Sequence, residues 1–79
     1  MQHVYSMLPG KVIKVEYSNK GYGNHVILDY GHIQCLYGHL AAITVHQGDA
    51  VFAGSIVGIS GNTGKSSGPH LHIKIMAGK

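Results

Sequence analysis

Residues 70–75 read His70-Leu71-His72-Ile73-Lys74-Ile75, so polar and apolar side chains alternate along the whole stretch. A period of two is typical of a β-strand with one buried face, which places His70, His72 and Lys74 together on the other face. The two imidazoles then lie about 6.5–7 Å apart along the backbone and point the same way. That separation suits two groups that both bind one metal, or one that binds it and one that moves a proton. An exposed polar strand face is the alternative interpretation.

The remainder of the chain has the features of an all-β protein. Twelve glycines separate apolar runs of about four to seven residues, and each run is bounded by turn residues. The predicted strands cover residues 11–17, 25–30, 33–37, 55–60 and 70–76, and the segment 45–51 is predicted to carry a turn at Gln47-Gly48-Asp49. Residues 40–44 could form a helical turn, which is too short to be stable alone. Because strands this short and numerous must remove their exposed edges, we expect a closed barrel or a sandwich.

Alternation also assigns the residues of the first predicted strand to two faces. One face would carry Lys11, Ile13, Val15 and Tyr17, and the other would carry Val12, Lys14 and Glu16. Val12 and Val15 are therefore expected on opposite faces of the sheet.

The composition limits the possible functions. With 79 residues and no linker or change of composition, the chain is expected to form a single domain over residues 1–79. Hydrophobic residues make up 44% and charged residues 11% of it, which excludes a disordered charged tail. The net charge of +3 comes from scattered lysines, which favours affinity for anionic polymers such as cell walls. With no arginine, one phenylalanine and no basic stripe, nucleic-acid binding is not expected.

The single cysteine and the first residues say little about location. Cys35 has no partner for an internal disulfide, and we interpret it as a small buried hydrophobic residue. The start, Met1-Gln2-His3-Val4-Tyr5, lacks the charged region and apolar run of a signal peptide. No apolar stretch is long enough to span a membrane. We therefore expect neither a signal peptide nor a membrane span in this chain.

Five short motifs follow one another in a specific order. They are Gly21-Tyr22-Gly23-Asn24, Leu36-Tyr37-Gly38-His39-Leu40, Gly48-Asp49-Ala50-Val51-Phe52-Ala53-Gly54, Gly58-Ile59-Ser60-Gly61-Asn62-Thr63-Gly64 and Ser67-Gly68-Pro69-His70-Leu71-His72. Taken together, from about Val4 to Ile75, they resemble the lysostaphin-type (LytM-type) zinc peptidases. The resemblance implies an all-β fold of short antiparallel strands in a barrel-sandwich hybrid, the duplicated hybrid motif of that family.

The resemblance also implies roles for individual residues. His72 matches a zinc ligand, His70 matches the general base, and His39 matches the histidine that orients water and stabilises the oxyanion. The implied reaction uses one zinc ion to hydrolyse an amide in the peptide stems or cross-bridges of peptidoglycan, in the cell envelope or outside the cell. Tyr22 and Asn24 are candidate substrate-binding residues, although Asn24 and the adjacent glycines also suit a plain tight turn.

The family pattern includes a His-x-x-x-Asp pair before the segment that begins at Val4, and this sequence has no counterpart to it. A catalytic zinc needs three protein ligands and an open position, so three explanations compete. The chain is an N-terminally incomplete piece of an active enzyme, or a degenerate member that binds cell wall or regulates a partner hydrolase, or a substitute ligand completes the site. His3 is the best substitute and Asp29 a poorer one. An exposed sheet edge would also permit a homodimer formed by strand exchange.

Lys74 stands where the family more often has an acidic residue. On the face that carries His70 and His72, a cation disfavours protonation of the imidazoles and repels a metal ion. This departure weakens the catalytic interpretation. The remaining histidines at turns or strand ends are expected to be solvated, namely His25, His32 and His46.

Overall fold

A computed structural model of the chain describes residues 3–61 and 72–77. Over these residues the chain forms eight β-strands and no helix, and every pairing is antiparallel. The strands are β1 His3–Tyr5, β2 Gly10–Glu16, β3 His25–Asp29, β4 Ile33–Gly38, β5 Leu40–Ile43, β6 Ala50–Val51, β7 Ile56–Ser60 and β8 His72–Ala77. The predicted all-β fold of short antiparallel strands is therefore confirmed. None of the described residues forms a helix that could cross a membrane.

The strands form two sheets, and between β4 and β5 the chain passes from one sheet to the other over a single residue. One sheet has three strands in the order β1-β7-β5, and the other has five in the order β6-β2-β3-β4-β8. Strand β4 ends at Gly38 and β5 begins at Leu40, so only His39 separates the two sheets at this point. The predicted helical turn at residues 40–44 is wrong. Hydrogen bonding to β7, which pairs Leu40 with Ser60, draws this segment into a strand instead.

The hydrophobic core combines side chains from both sheets. The five-stranded sheet supplies Val26 and Leu28, and the three-stranded sheet supplies Leu40 and Val57, all without exposed surface. The strands must approach closely to enclose this core, and a Cβ at Gly58 would lie 2.7 Å from the Ala42 carbonyl oxygen. Glycine at this position lets β7 pack between its two neighbours.

A β-bulge changes the faces of β2. Its register against β3 pairs Val12 with Leu28 and Lys14 with Ile27, so it shifts between Val12 and Lys14. Val12 is fully buried, and Val15 also packs against the core. The prediction that Val12 and Val15 lie on opposite faces is therefore wrong, because the extra residue of a bulge changes the phase of the alternation.

The segment at residues 45–51 contains the predicted turn at Gln47-Gly48-Asp49, and its paired part is short. Only β6, Ala50–Val51, pairs with β2. The preceding residues form a turn in which the Asp49 carboxylate accepts a hydrogen bond from the His46 backbone N–H at 2.8 Å. Gly48 adopts a φ of 96° in this turn, and its N–H donates to the Val12 carbonyl oxygen at 2.8 Å. The His46 N–H is thus satisfied within the turn, whereas the Gly48 N–H continues the contact with β2 beyond Ala50.

A chain of hydroxyl groups runs through the core below β4. The buried Tyr37 hydroxyl lies 2.7 Å from the Tyr30 hydroxyl, which lies 3.3 Å from Ser6 Oγ. Ser6 Oγ donates to the Leu8 carbonyl oxygen at 2.6 Å. Burial, together with the hydrogen bond to Tyr30, raises the pKa of Tyr37 far above its ordinary value. Cys35 is fully buried, as predicted, and its burial raises the pKa of the thiol.

We expect the free energy of unfolding to fall as the pH rises above about 9, because both buried groups favour their neutral forms in the folded state. The unfolded chain loses these protons near the ordinary pKa values, about 8.5 for Cys and 10 for Tyr, while the folded chain retains them. The corresponding stability is complete below those values and is lost above them. Urea denaturation between pH 8 and pH 11 measures the decrease.

The variant Tyr37→Phe should show a smaller decrease, although it is less stable at neutral pH because Tyr30 loses a partner. The matched control is Tyr17→Phe, since 66% of Tyr17 is exposed; it should follow the parent protein at every pH. An equal decrease in Tyr37→Phe and in the parent would contradict the assignment.

Candidate active site

His39 has an unusual backbone conformation at the junction between the sheets. Its φ is 57°, the only positive value among the non-glycine residues that the structure describes. Only 6% of the residue is exposed. The left-handed region costs an ordinary residue about 1–2 kcal/mol, although histidine enters it more often than most. Such conformations persist where the surroundings hold them, and they cluster at functional sites.

Neighbouring loops hold the backbone of His39 on both sides. Its N–H donates to the Tyr22 carbonyl oxygen at 2.7 Å, and its carbonyl oxygen accepts from the Gly61 N–H at 3.1 Å. A Cβ at Gly61 would lie 3.0 Å from Ala41 Cα and closer still to Ala41 Cβ. Glycine is therefore needed for the chain to come near enough to His39 for this hydrogen bond.

Asn24 connects the turn at residues 18–24 to the start of β5. Its Oδ1 accepts a hydrogen bond from the Ser18 N–H and its Nδ2 donates to the Leu40 carbonyl oxygen, both at 3.0 Å. Its backbone carbonyl oxygen accepts from the Leu40 N–H at 3.0 Å. The side-chain nitrogen and the backbone carbonyl oxygen of Asn24 thus hold Leu40, the residue that follows His39, while the side-chain oxygen holds Ser18. The predicted contact of Asn24 with substrate stays a prediction.

Tyr22 lies over the end of β4. A Cβ at Gly38 would lie 3.2 Å from the Tyr22 carbonyl oxygen and 3.4 Å from Tyr22 Cβ, so this turn rests directly on the strand. The Tyr22 ring meets the His25 ring edge to face, with 5.8 Å between the centroids. His25 Nδ1 lies 2.9 Å from the Gly23 carbonyl oxygen. Since a carbonyl can only accept, Nδ1 carries the proton and Nε2 is the acceptor in the neutral ring.

His25 was expected to be solvated, and its contacts were not anticipated from the sequence. The hairpin of β3 and β4 pairs Val26 with Tyr37, which brings His25 level with Gly38. A hairpin between the predicted strands at residues 25–30 and 33–37, extended by one residue, would have placed His25 beside the motif that contains His39.

Strand β8 places His72 beside this junction. In the β4–β8 ladder, His72 pairs with Gly38 and Lys74 pairs with Leu36. The predicted metal ligand is thus opposite the residue that precedes His39 in the chain. The structure describes only the backbone of His72, and His70 lies outside the described residues. Their predicted roles stay predictions.

The described residues alone do not supply a catalytic zinc site. Over residues 3–61 and 72–77, no three His, Cys, Asp or Glu side chains form a group that could hold a metal. His3, the predicted substitute ligand, is exposed on β1, where it pairs with Ile59 in the three-stranded sheet. Asp29 accepts a hydrogen bond from the Gly31 N–H at 2.8 Å. Neither residue joins His39 in a three-ligand group.

Comparison with known proteins places this geometry in a family. The sequence model of the family described as "Peptidase family M23" matches residues 1–79. The chain belongs to peptidase family M23. It is 43% identical over 76 residues to lysostaphin of Staphylococcus simulans, covering 92% of this chain and 15% of lysostaphin. It is also 42% identical over 55 residues to the peptidoglycan DD-endopeptidase ShyA of Vibrio cholerae, covering 68% of this chain and 13% of ShyA.

Solved structures of M23 proteins show the same fold. The catalytic domain of the prophage-encoded M23 protein EnpA from Enterococcus faecalis, as an A109H mutant, matches with a TM-score of 0.92 and 35% identity. The lysostaphin catalytic domain from Staphylococcus simulans matches with a TM-score of 0.90 and 39% identity. Each match covers 99% of this chain, but only 61% and 60% of the solved chains. The chain thus spans a small part of its full-length relatives and about three fifths of these catalytic domains. The predicted lysostaphin-type family and fold are confirmed.

Proposed function

We propose that this M23 domain serves in the hydrolysis of amide bonds in the peptide stems or cross-bridges of peptidoglycan. Membership of a peptidase family supports the reaction class, and the names of lysostaphin and ShyA support the substrate. The observation that carries the proposal is His39, a buried histidine held in a left-handed conformation between two sheets and beside the β4–β8 ladder. The implied location is the cell envelope or the outside of the cell.

In the proposed reaction, three histidines have separate roles. His39 donates a hydrogen bond to the amide oxygen as negative charge develops on it, and its fixed backbone keeps the donor in place. His70 removes a proton from the attacking water, and His72 contributes one ligand to zinc. Zinc, when bound, supplies a Lewis acid that activates water and polarises the carbonyl. A catalytic zinc takes three protein ligands, and the side chains that the structure describes include no group of three that could hold a metal.

Calorimetric titration of zinc into the metal-free 79-residue protein tests this proposal. We expect a stoichiometry near one zinc per chain, and His72→Ala should abolish the binding because it removes a ligand. The control is His32→Ala, which removes an exposed histidine from the turn between β3 and β4 and should bind zinc like the parent. Equal weak binding by all three proteins would contradict a metal site in this chain.

The alternative function is that of a degenerate member that binds cell wall or regulates a partner hydrolase. Sedimentation with purified walls combined with a hydrolysis assay separates the two. Binding without release of soluble fragments, in the presence of zinc, favours the alternative. A homodimer formed by strand exchange stays a prediction.

A further inference from the structure

Lys74 and Tyr22 form a cationic pair beside the candidate active site. Lys74 Nζ lies 3.4 Å from the Tyr22 hydroxyl oxygen and 5.9 Å from the centroid of the ring. The distance to the ring is at the outer limit of a cation–π contact. The two residues are 52 positions apart in the sequence, so the fold alone brings them together.

The chain holds Tyr22 firmly, and through it the position of the Lys74 ammonium. The carbonyl oxygen of Tyr22 accepts the His39 N–H at 2.7 Å, and its ring packs against the edge of His25. Because Gly38 has no Cβ, Tyr22 can pack directly against the backbone of β4. Lys74 itself is anchored in the backbone ladder opposite Leu36. The Lys74 ammonium therefore lies next to Tyr22, whose carbonyl oxygen accepts the His39 N–H.

Among the described residues, the Lys74 ammonium has no carboxylate partner. The three acidic side chains of the protein are used elsewhere. Glu16 pairs with Lys14 at 3.3 Å, and Asp49 and Asp29 accept backbone hydrogen bonds in their turns. An ammonium has three N–H donors, and the contact with Tyr22 uses one of them. Lys74 is exposed, so the other two are available to an anion from outside the protein.

We infer that Lys74, positioned by Tyr22, binds a carboxylate of the substrate peptide close to the bond that is cleaved. This rests on the proposed function, and it adds a preference among substrates. Residues 72 and 74 are two positions apart on β8, which is about 6.5–7 Å, or the length of two residues of an extended peptide. The carboxylate therefore belongs to a residue within about two positions of the cleaved bond. A peptide stem with an acidic residue there is favoured over an oligoglycine bridge, which carries no charged side chain.

Binding of matched peptides tests the inference without requiring hydrolysis. The probes are acetyl-Gly-Gly-Glu-Gly-Gly-amide and the same peptide with Gln in place of Glu, titrated into the 79-residue protein at low salt. We expect the Glu peptide to bind roughly three- to tenfold more tightly, as for a charge-assisted contact that is partly exposed to solvent. Lys74→Gln should remove this preference, and Lys74→Arg should retain it.

The control variant Lys11→Gln loses the same charge at a distant place. Lys11 lies on β2, and β3 and β4 separate β2 from β8, which is roughly 14 Å at the usual strand spacing. It should keep the preference of the parent. Equal affinity for the two peptides, no binding of either peptide, or the same loss in Lys11→Gln as in Lys74→Gln would overturn the inference. A preference without wall hydrolysis would support it and count against the proposed hydrolysis alone, whereas hydrolysis without a preference would count against the inference alone.

Discussion

Replacement of His39 by alanine is expected to lower the rate of peptidoglycan hydrolysis by about 10²–10⁴-fold, the usual contribution of a positioned acid–base or oxyanion-stabilising group. The residue is almost completely buried, and its backbone is fixed by a hydrogen bond to the Tyr22 carbonyl oxygen and one from the Gly61 N–H. Release of soluble fragments from purified cell walls measures the rate, and His32→Ala is the control that should retain it.

A second variant separates catalysis from stability at the same position. His39→Gly also removes the imidazole, but glycine enters the left-handed region without a steric cost. At ordinary positions in strands and loops, alanine is more stable than glycine by roughly 0.5–1 kcal/mol. At His39 we expect the reverse, with His39→Gly more stable than His39→Ala by about 1 kcal/mol.

Both variants should be equally inactive. Urea denaturation gives the order of stability, and the hydrolysis assay gives the activity. Activity in either variant would exclude His39 from the chemistry. The usual order, with alanine the more stable, would show that the positive φ does not persist in solution.

Local sequence patterns were sufficient to predict most of the strands. Short apolar runs bounded by turn residues located β3 and β4 to within one residue at each end. The ordered motifs then identified the family. Both signals depend on residues that are near one another in the chain, and a single sequence carries that information directly.

The features that the sequence did not predict arise from contacts between distant segments. The bulge in β2 changes the phase of its alternation because both Val12 and Val15 pack on a core that other strands supply. Leu40 and Ile43 adopt a strand because β7 lies beside them. Alternation within one segment contains neither of these facts, since propensity is a weak determinant where tertiary pairing is available.

The candidate site was predicted in its residues but not in its geometry. The motif around His39 indicated a function, but it did not indicate the φ of 57° or the passage between sheets. For Lys74, the sequence predicted only that its positive charge would disfavour the binding of a metal ion. The contact with Tyr22, which turns the same charge into a candidate binding group, depends on a turn folded over Gly38.

Gly61 lies close to the backbone of Ala41, so its replacement by alanine is the second substitution for which we expect a large effect. A Cβ at this position would collide with Ala41, at 3.0 Å from its Cα and 3.1 Å from its backbone nitrogen, as well as with its Cβ. We expect Gly61→Ala to destabilise the protein by about 1–3 kcal/mol, in the range of overpacked sites, which lowers Tm by roughly 4–8 °C per kcal/mol in a domain of this size. Hydrolysis should fall as well, because the Gly61 N–H that donates to the His39 carbonyl oxygen at 3.1 Å is displaced.

A double-mutant cycle assigns the cause of this effect. Ala41→Gly removes the Cβ that is in closest conflict, so the pair Gly61→Ala with Ala41→Gly should recover part of the lost stability, whereas independent sites would add their costs. The recovery is incomplete because the Cα and nitrogen of Ala41 remain close. Thermal unfolding of the four proteins, followed by circular dichroism, gives the coupling. Additive losses would mean that Ala41 is not the obstacle, and that β5 does not lie against Gly61 where His39 joins the two sheets.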